Sequence, residues 1–160
     1  MAATSMLPVI GRPAPDFSLP STTGENISLK QFKGKKTVVL YFYSKDETPG
    51  CTREACDMRD KYEEFEKNNV VVLGVSNDDM ETHNRFREKQ SLPFPLLADT
   101  DASVSKMFGV YKQKNLYGKK YMGIERTTFI IDRSGRIAQI YPRVKVEGHA
   151  QDVLEFVRED

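Results

Sequence analysis

The sequence predicts an α/β fold, a central mixed β-sheet flanked by helices, with a β-hairpin added at the N-terminal end. Three observations predict it. Two continuous apolar runs, Thr37 to Tyr43 and Val70 to Val75, read as strands buried on both faces, the habit of parallel sheets. The stretch between them carries apolar residues at helical spacing. Nearer the C-terminus, two strand-like runs flank Asp132-Arg133-Ser134-Gly135, the turn chemistry of a β-hairpin.

The elements follow in chain order. Pro13, Pro15 and Pro20, with Ser21-Thr22-Thr23-Gly24, punctuate two short extended pieces, Asp16 to Leu19 and Asn26 to Leu29. These form a small hairpin over a sheet edge or end. After the strand at Thr37 to Tyr43, a helix over Thr52 to Asn68 places Ala55, Met58, Tyr62 and Phe65 on one face. With the Val70 to Val75 strand this makes a βαβ unit with a right-handed crossover. Asn77-Asp78-Asp79 caps a second helix to about Gln90. Phe94 to Ala98, with Pro93 and Pro95 beside Phe94, suits an edge strand. Thr127 to Ile131 and Arg136 to Tyr141 pair as a hairpin, and Ala150 to Arg158 closes the chain with Val153, Leu154 and Val157 on one helix face. This order is compatible with a thioredoxin-like core plus additions. Repeats, linkers and low-complexity tracts are absent from the sequence, so one domain over residues 11–160, preceded by a flexible tail over residues 1–10, is expected.

Composition narrows the function classes. In 160 residues, Lys and Arg number 24 against 23 Asp and Glu, a net charge of +1. That balance gives no global field to draw in nucleic acid or an anionic membrane. Two cysteines are too few for a disulfide-stapled secreted domain and point to a reducing compartment. Met1 to Gly11 contains no basic residue, so it lacks the n-region of a signal peptide. No apolar run approaches the roughly 20 residues that span a membrane. A cytoplasmic location is the expectation, with a processed organellar form also compatible.

The informative segment is Lys45 to Cys56. Thr48 is a good helix N-cap and Pro49 suits the first helical position, where a missing N–H costs nothing. Cys51 is then the third helical residue, its sulfur near unpaired N–H groups and the positive end of the helix dipole, surroundings that favour thiolate. A cysteine of pKa about 8.5 is only ~3% ionised at pH 7, and one lowered to about 6 is ~90% ionised, a difference of roughly 3.4 kcal/mol. The dipole supplies about 0.3 to 1 kcal/mol. The rest requires charge-assisted hydrogen bonds worth around 1.5 to 3 kcal/mol each, from the Thr48 hydroxyl, backbone N–H groups and a cation, expected to be an arginine. Cys56 lies five residues on, rotated about 140° from Cys51 with its Cα roughly 8.7 Å away on an intact helix. A disulfide tolerates about 7 Å, so pairing requires the first turns to unwind. The rotation points Cys56 away from the apolar face, toward solvent or a neighbouring loop.

Taken together, Ala14-Pro15-Asp16-Phe17, Thr48-Pro49-Gly50-Cys51-Thr52, Glu54-Ala55-Cys56, Leu92 to Asp99 and Arg126 to Asp132 resemble the peroxiredoxins, in particular the Q or bacterioferritin-comigratory class. The resemblance covers about Gly11 to Asp160. It implies a thiol peroxidase that reduces hydrogen peroxide and organic hydroperoxides without metal or cofactor. Cys51 is then the peroxidatic nucleophile, Thr48 a donor to thiolate or peroxide, Arg126 the cation, and Cys56 the resolving thiol that forms an intramolecular disulfide. A thioredoxin-type dithiol regenerates the enzyme, and an in-chain resolving cysteine removes the need for a dimer. One departure stands out: Ser44 occupies a position where the family usually has proline, a residue thought to shield the sulfur.

Other readings fare less well. A thioredoxin-like disulfide oxidoreductase would use Cys-x-x-Cys, whereas four residues separate Cys51 from Cys56, and the loop before Thr127 lacks that family's proline. A zinc site from Cys51, Cys56, His83 and His149 fits no common spacing, and both histidines are expected to be solvent-exposed. Lys112, Lys114, Lys119 and Lys120 interleave with Tyr111, Tyr117 and Tyr121. This segment is expected to be a solvated loop near the active site, with docking of an acidic reductase surface as the lesser reading.

Overall fold

A computed structural model describes residues 7–158. Its centre is a five-stranded mixed sheet in which β3 (Thr37–Phe42) pairs in parallel with β4 (Val70–Ser76) and β4 with β5 (Leu96–Ala98). On its other side β3 pairs antiparallel with β8 (Thr127–Ile131), which pairs with β9 (Ile137–Tyr141). The order is β5-β4-β3-β8-β9, so the two mostly apolar strands sit inside the sheet and the strand that follows Pro93 and Pro95 is an edge, where prolines are tolerated.

Side-chain alternation along β3 divides the core into two layers. Val38, Leu40 and Phe42 face one layer, with Leu73, Val75 and Phe129 and with residues of the N-terminal hairpin. Val39, Tyr41 and Tyr43 face the other, with Cys51, Ala55, Met58, Phe65 and the apolar face of the last helix. The hairpin, β1 (Ser18–Pro20) and β2 (Asn26–Ser28), lies against the free edge of β5. There the Thr22 N–H donates to the Leu96 carbonyl, and the Thr22 hydroxyl oxygen accepts from the Leu96 N–H. An otherwise unpaired edge is thereby satisfied.

The expected helices are found with changed limits. The crossover helix is two: α1 (Pro49–Asp60) and α2 (Tyr62–Lys67). Lys61 leaves the helical region, and Phe65 beyond it is buried in the core. α3 (Met80–Gln90) starts at Asp79, whose carboxylate accepts from the Thr82 N–H. The short α4 (Ser103–Met107), which sequence reading did not single out, leads into β6 (Tyr111–Leu116) and β7 (Lys119–Ile124), and α5 (His149–Arg158) closes the chain.

The expected solvated loop at 111–121 is instead the hairpin β6–β7. Tyr117 and Gly118 at its tip both have positive φ, 53° and 79°, the two-residue turn whose twist matches the flanking strands. Lys-Gln-Lys-Asn offers no apolar alternation, which is why the strand was illegible. The expected tail lies outside the described residues as far as residue 6; beyond it, the Leu7 side chain lies against Gly109.

Gly74 in β4 makes room for a tyrosine. A Cβ there would stand 2.9 Å from Cζ of Tyr41 and 3.0 Å from Cδ2 of Leu96. Gly74→Ala is expected to destabilise the fold by about 1 to 3 kcal/mol through overpacking, read as a lower urea midpoint at unchanged slope.

Candidate active site

The site forms where β3 ends and the chain turns into α1. Thr48 is extended (φ −77°, ψ 152°), Pro49 is the first helical residue, and the Thr48 carbonyl accepts from the Thr52 N–H at 2.8 Å. Cys51 is therefore the third residue of α1, as its sequence context predicts. Its side chain is buried on the helix face shared with Glu54, Ala55 and Met58.

Two side chains reach the sulfur. Nη2 of Arg126 donates to Cys51 Sγ at 3.3 Å, and the Ser44 hydroxyl lies 3.5 Å from it. Arg126 comes from the residue just before β8, the strand paired to β3, so the sheet register carries the cation to the helix start. Gly50 permits the approach: a Cβ there would meet Arg126 Nη2 at 3.2 Å. Burial pushes the Cys51 thiol up, but Ser44, Thr48, the Lys45 backbone and the Arg126 charge together outweigh it and hold the thiol below its ordinary value.

Thr48 behaves differently from its expected capping role. Its side chain makes no cap bond, and its hydroxyl donates to the Lys45 carbonyl at 3.0 Å. A hydroxyl has one hydrogen, so Thr48 serves either that carbonyl or the sulfur at a given moment. Cys56 is a free, half-buried thiol, and it faces α3 rather than open solvent, with Sγ 3.4 Å from Gln90 Oε1. The structure thus brings Cys51, Thr48 and Arg126 together and sets Cys56 on another side of the same helix.

Glu54 is the site residue to which sequence reading assigned no role. It is buried, and its Oε1 accepts from Arg126 Nη1 at 2.6 Å. One guanidinium therefore bridges a sulfur and a carboxylate with its two terminal nitrogens. Oε2 of Glu54 has no partner. Burial raises Glu54 to about 7 against the pull of Arg126. Burial also works against the Arg126 charge, yet Glu54 and Cys51 more than offset it and raise Arg126 above its ordinary value. The available signal was an acidic residue on the stripe that also carries Cys51, Ala55 and Met58.

Both histidines are buried, contrary to expectation. His83 sits between Asp46 and the Leu97 carbonyl, 2.6 and 2.9 Å away. His149 Nε2 lies 2.8 Å from the Thr128 hydroxyl, and burial lowers its pKa to about 4. Each ring is engaged away from the cysteines, so the four residues of the candidate zinc set do not converge.

Comparison with known proteins decides the family. The pattern of the AhpC/TSA family matches residues 10–140. The chain is a peroxiredoxin of that family. It is 52% identical over 145 residues to the putative peroxiredoxin bcp of Coxiella burnetii, covering 91% of this chain and 95% of that one. It is 47% identical over 150 residues to peroxiredoxin Bcp of Bacillus subtilis, covering 94% and 95%. Among solved structures, peroxiredoxin Q of Xanthomonas campestris superposes with a TM-score of 0.85 at 40% identity, covering 89% of this chain and 90% of that one. A PrxQ cysteine-to-serine mutant of Xylella fastidiosa gives 0.89 at 36%, covering 95% and 96%. The peroxiredoxin fold is thus thioredoxin-like, and the chain is a thiol peroxidase rather than a disulfide oxidoreductase. Among the described residues no helix is long and apolar enough to cross a membrane.

Glu54 couples the site to pH. A carboxyl that holds its proton more tightly in the folded site than in the unwound chain stabilises the folded site at low pH. That contribution is complete below about 4.3, the unperturbed value, and is lost as pH rises through about 7. Amide exchange over residues 49–56, corrected for intrinsic rates, is expected to report more frequent opening at about pH 8 than at about pH 6. Glu54→Gln is expected to flatten this dependence; an unchanged dependence in that variant would assign it to another group.

Proposed function

We propose that Cys51 is the peroxide-reducing nucleophile of this thiol peroxidase, that Cys56 resolves the resulting sulfenic acid, and that a thioredoxin-type dithiol regenerates the pair. The observation that carries the reading is the Cys51 sulfur at the start of α1, 3.3 Å from Arg126 Nη2 and lowered below its ordinary pKa. A sulfur so held favours the thiolate without a neighbouring base.

The chemistry follows from that geometry. The Cys51 thiolate attacks one oxygen of the hydroperoxide in line; the S–O bond forms as the O–O bond breaks. The leaving oxygen takes a proton and departs as water or an alcohol, leaving Cys51 as sulfenic acid. Arg126 and the Thr48 hydroxyl donate to the charge that develops on the leaving oxygen, where fixed donors do most. The Cys56 thiol then attacks the sulfenic sulfur, the S–S bond forms and water leaves. A dithiol reduces this bridge by exchange, returning two thiols while becoming a disulfide itself.

Resolution requires α1 to open, because roughly 8.7 Å separates the two Cα atoms on an intact helix and a disulfide tolerates about 7 Å. The buried Glu54 assists. Its Oε2 is orphaned in the folded site, and unwinding returns that carboxylate to water, relieving the penalty of burying an unsatisfied charge. Since both thiols lie in one chain, the cycle needs no second subunit, which supports a monomer acting in a reducing, cytoplasmic setting.

Ser44 has a definite place in this reading. At 3.5 Å from Sγ it offers a hydroxyl where a proline would offer only a ring.

Mass spectrometry after one equivalent of peroxide is expected to find a single bridge between Cys51 and Cys56. Cys51→Ser should abolish peroxide consumption, and Cys56→Ser should leave a sulfenic acid that dimedone traps. A Cys51→Ser protein that still consumes peroxide would overturn the assignment. In a separate titration followed by thiolate absorbance, Ser44→Ala is expected to raise the Cys51 midpoint by less than about one unit, and Arg126→Lys by more. A larger effect from Ser44→Ala would reverse that ranking of the two donors.

A further inference from the structure

The groups that polarise Cys51, other than Arg126, lie on one short segment. The Ser44 hydroxyl lies 3.5 Å from the sulfur, and the Thr48 side chain and the Lys45 backbone help it lower the thiol, yet Ser44 and Lys45 are exposed and Thr48 is half-buried. Their own ties are few and exposed: the Thr48 hydroxyl donates to the Lys45 carbonyl, and Glu47 between them pairs with Lys89 and Arg85 of α3 at 3.2 and 3.8 Å. Asp46 is the one buried residue of 44–50, and Glu47 beside it is held at φ 64°, a conformation that costs a non-glycine residue energy. A segment exposed on both sides and strained in the middle keeps its shape only if something grips it.

Asp46 is that grip. Its Oδ1 accepts from the Tyr43 hydroxyl at 2.5 Å, its Oδ2 lies 2.6 Å from His83 Nδ1, and its N–H donates to Asp78 Oδ2 at 2.8 Å. His83 is wholly buried, and its other nitrogen lies 2.9 Å from the Leu97 carbonyl oxygen. A carbonyl only accepts, so His83 Nε2 carries a hydrogen. The Nδ1 to Oδ2 contact must hold a second proton, because two bare lone pairs would repel at that distance. His83 is thereby bonded on both sides inside the core, and it ties the segment to α3 and β5 at once.

We propose that His83 is a positioning residue for the peroxide reaction, acting through Asp46 to hold Ser44 to Thr48 against the Cys51 sulfur. The inference rests on the proposed role of Cys51 and adds a device that role does not require. The tie lies upstream of the part of α1 that must unwind. A second tie, Arg59 Nη1 to the Gln90 carbonyl at 2.7 Å, lies downstream of Cys56. α3 therefore brackets the mobile stretch, with His83 gripping one side and Gln90 the other, and the donors stay in place for the helix to re-form upon.

The test uses the full-length reduced protein in stopped-flow with hydrogen peroxide, with the Cys51 thiolate midpoint, the rate of disulfide formation and the melting temperature measured alongside. His83→Ala is expected to slow the peroxide step about tenfold or more, in keeping with the cost of misplaced groups. It should also raise the thiolate midpoint and leave disulfide formation no slower. His83→Gln, whose amide keeps a donor for Asp46, is expected to recover most of that loss. Tyr43→Phe, which removes one tie and leaves the core filled, should slow the step by roughly threefold; it and His83→Gln decide the matter if His83→Ala does not fold. Variants that melt earlier but keep the wild-type peroxide rate and midpoint would overturn the proposal, as would a His83→Gln protein as slow as His83→Ala. A wild-type protein that fails to consume peroxide would instead sink the assignment of Cys51.

Discussion

The arrangement depends on one guanidinium shared between a sulfur and a carboxylate. Arg126 places Nη2 at 3.3 Å from Cys51 Sγ and Nη1 at 2.6 Å from Glu54 Oε1, a division of labour that lysine, with a single ammonium, cannot reproduce. Because Cys51 and Glu54 are three residues apart on α1, one turn of helix presents both to the same cation. The helix start is thus fastened to the sheet by charge as well as by the packing of Ala55 and Met58. Gly50 leaves room for the guanidinium to reach over the first turn.

That fastening is deliberately incomplete in its energetics. A buried ion pair repays its desolvation only when the remaining lone pairs are satisfied, and Glu54 Oε2 is not. The first turns of α1 therefore combine a well-packed apolar face with an unsatisfied acid, a balance suited to a segment that must be folded to react and unwound to be resolved. The elements on either side are held more firmly. β3 and β4 are buried along nearly their whole length, and His83 and Gln90 of α3 hold the chain on both sides of the stretch that moves.

Much of this was readable from residue order. Continuous apolar runs located β3 and β4, Thr48-Pro49 fixed the start of α1 to the residue, and the proline-flanked run at 94–98 was correctly an edge. Failures cluster where local chemistry and tertiary context disagree. Lys-Gln-Lys-Asn has no strand-like alternation, and only the Tyr117-Gly118 turn makes β6 and β7 a hairpin. His83 and His149 sit in polar stretches that suggest exposure, yet each is drawn inside by hydrogen-bond partners supplied from distant elements, Asp46 and Leu97 for one and Thr128 for the other. Cys56 was rightly placed off the apolar face, but what lies there is the end of α3 rather than solvent or a loop.

The sequence by itself determined the helix that begins at Pro49 and the sulfur at its third residue, since proline placement and helical period are properties of neighbours along the chain. It also determined that two cysteines five apart cannot join while that helix is intact. Only the tertiary structure decided which groups surround the sulfur. Arg126 lies 75 residues from Cys51, and Asp46 meets His83 across 37. Strand register and helix packing, which are long-range and cooperative, bring those charges to within bonding distance, and no local pattern encodes them.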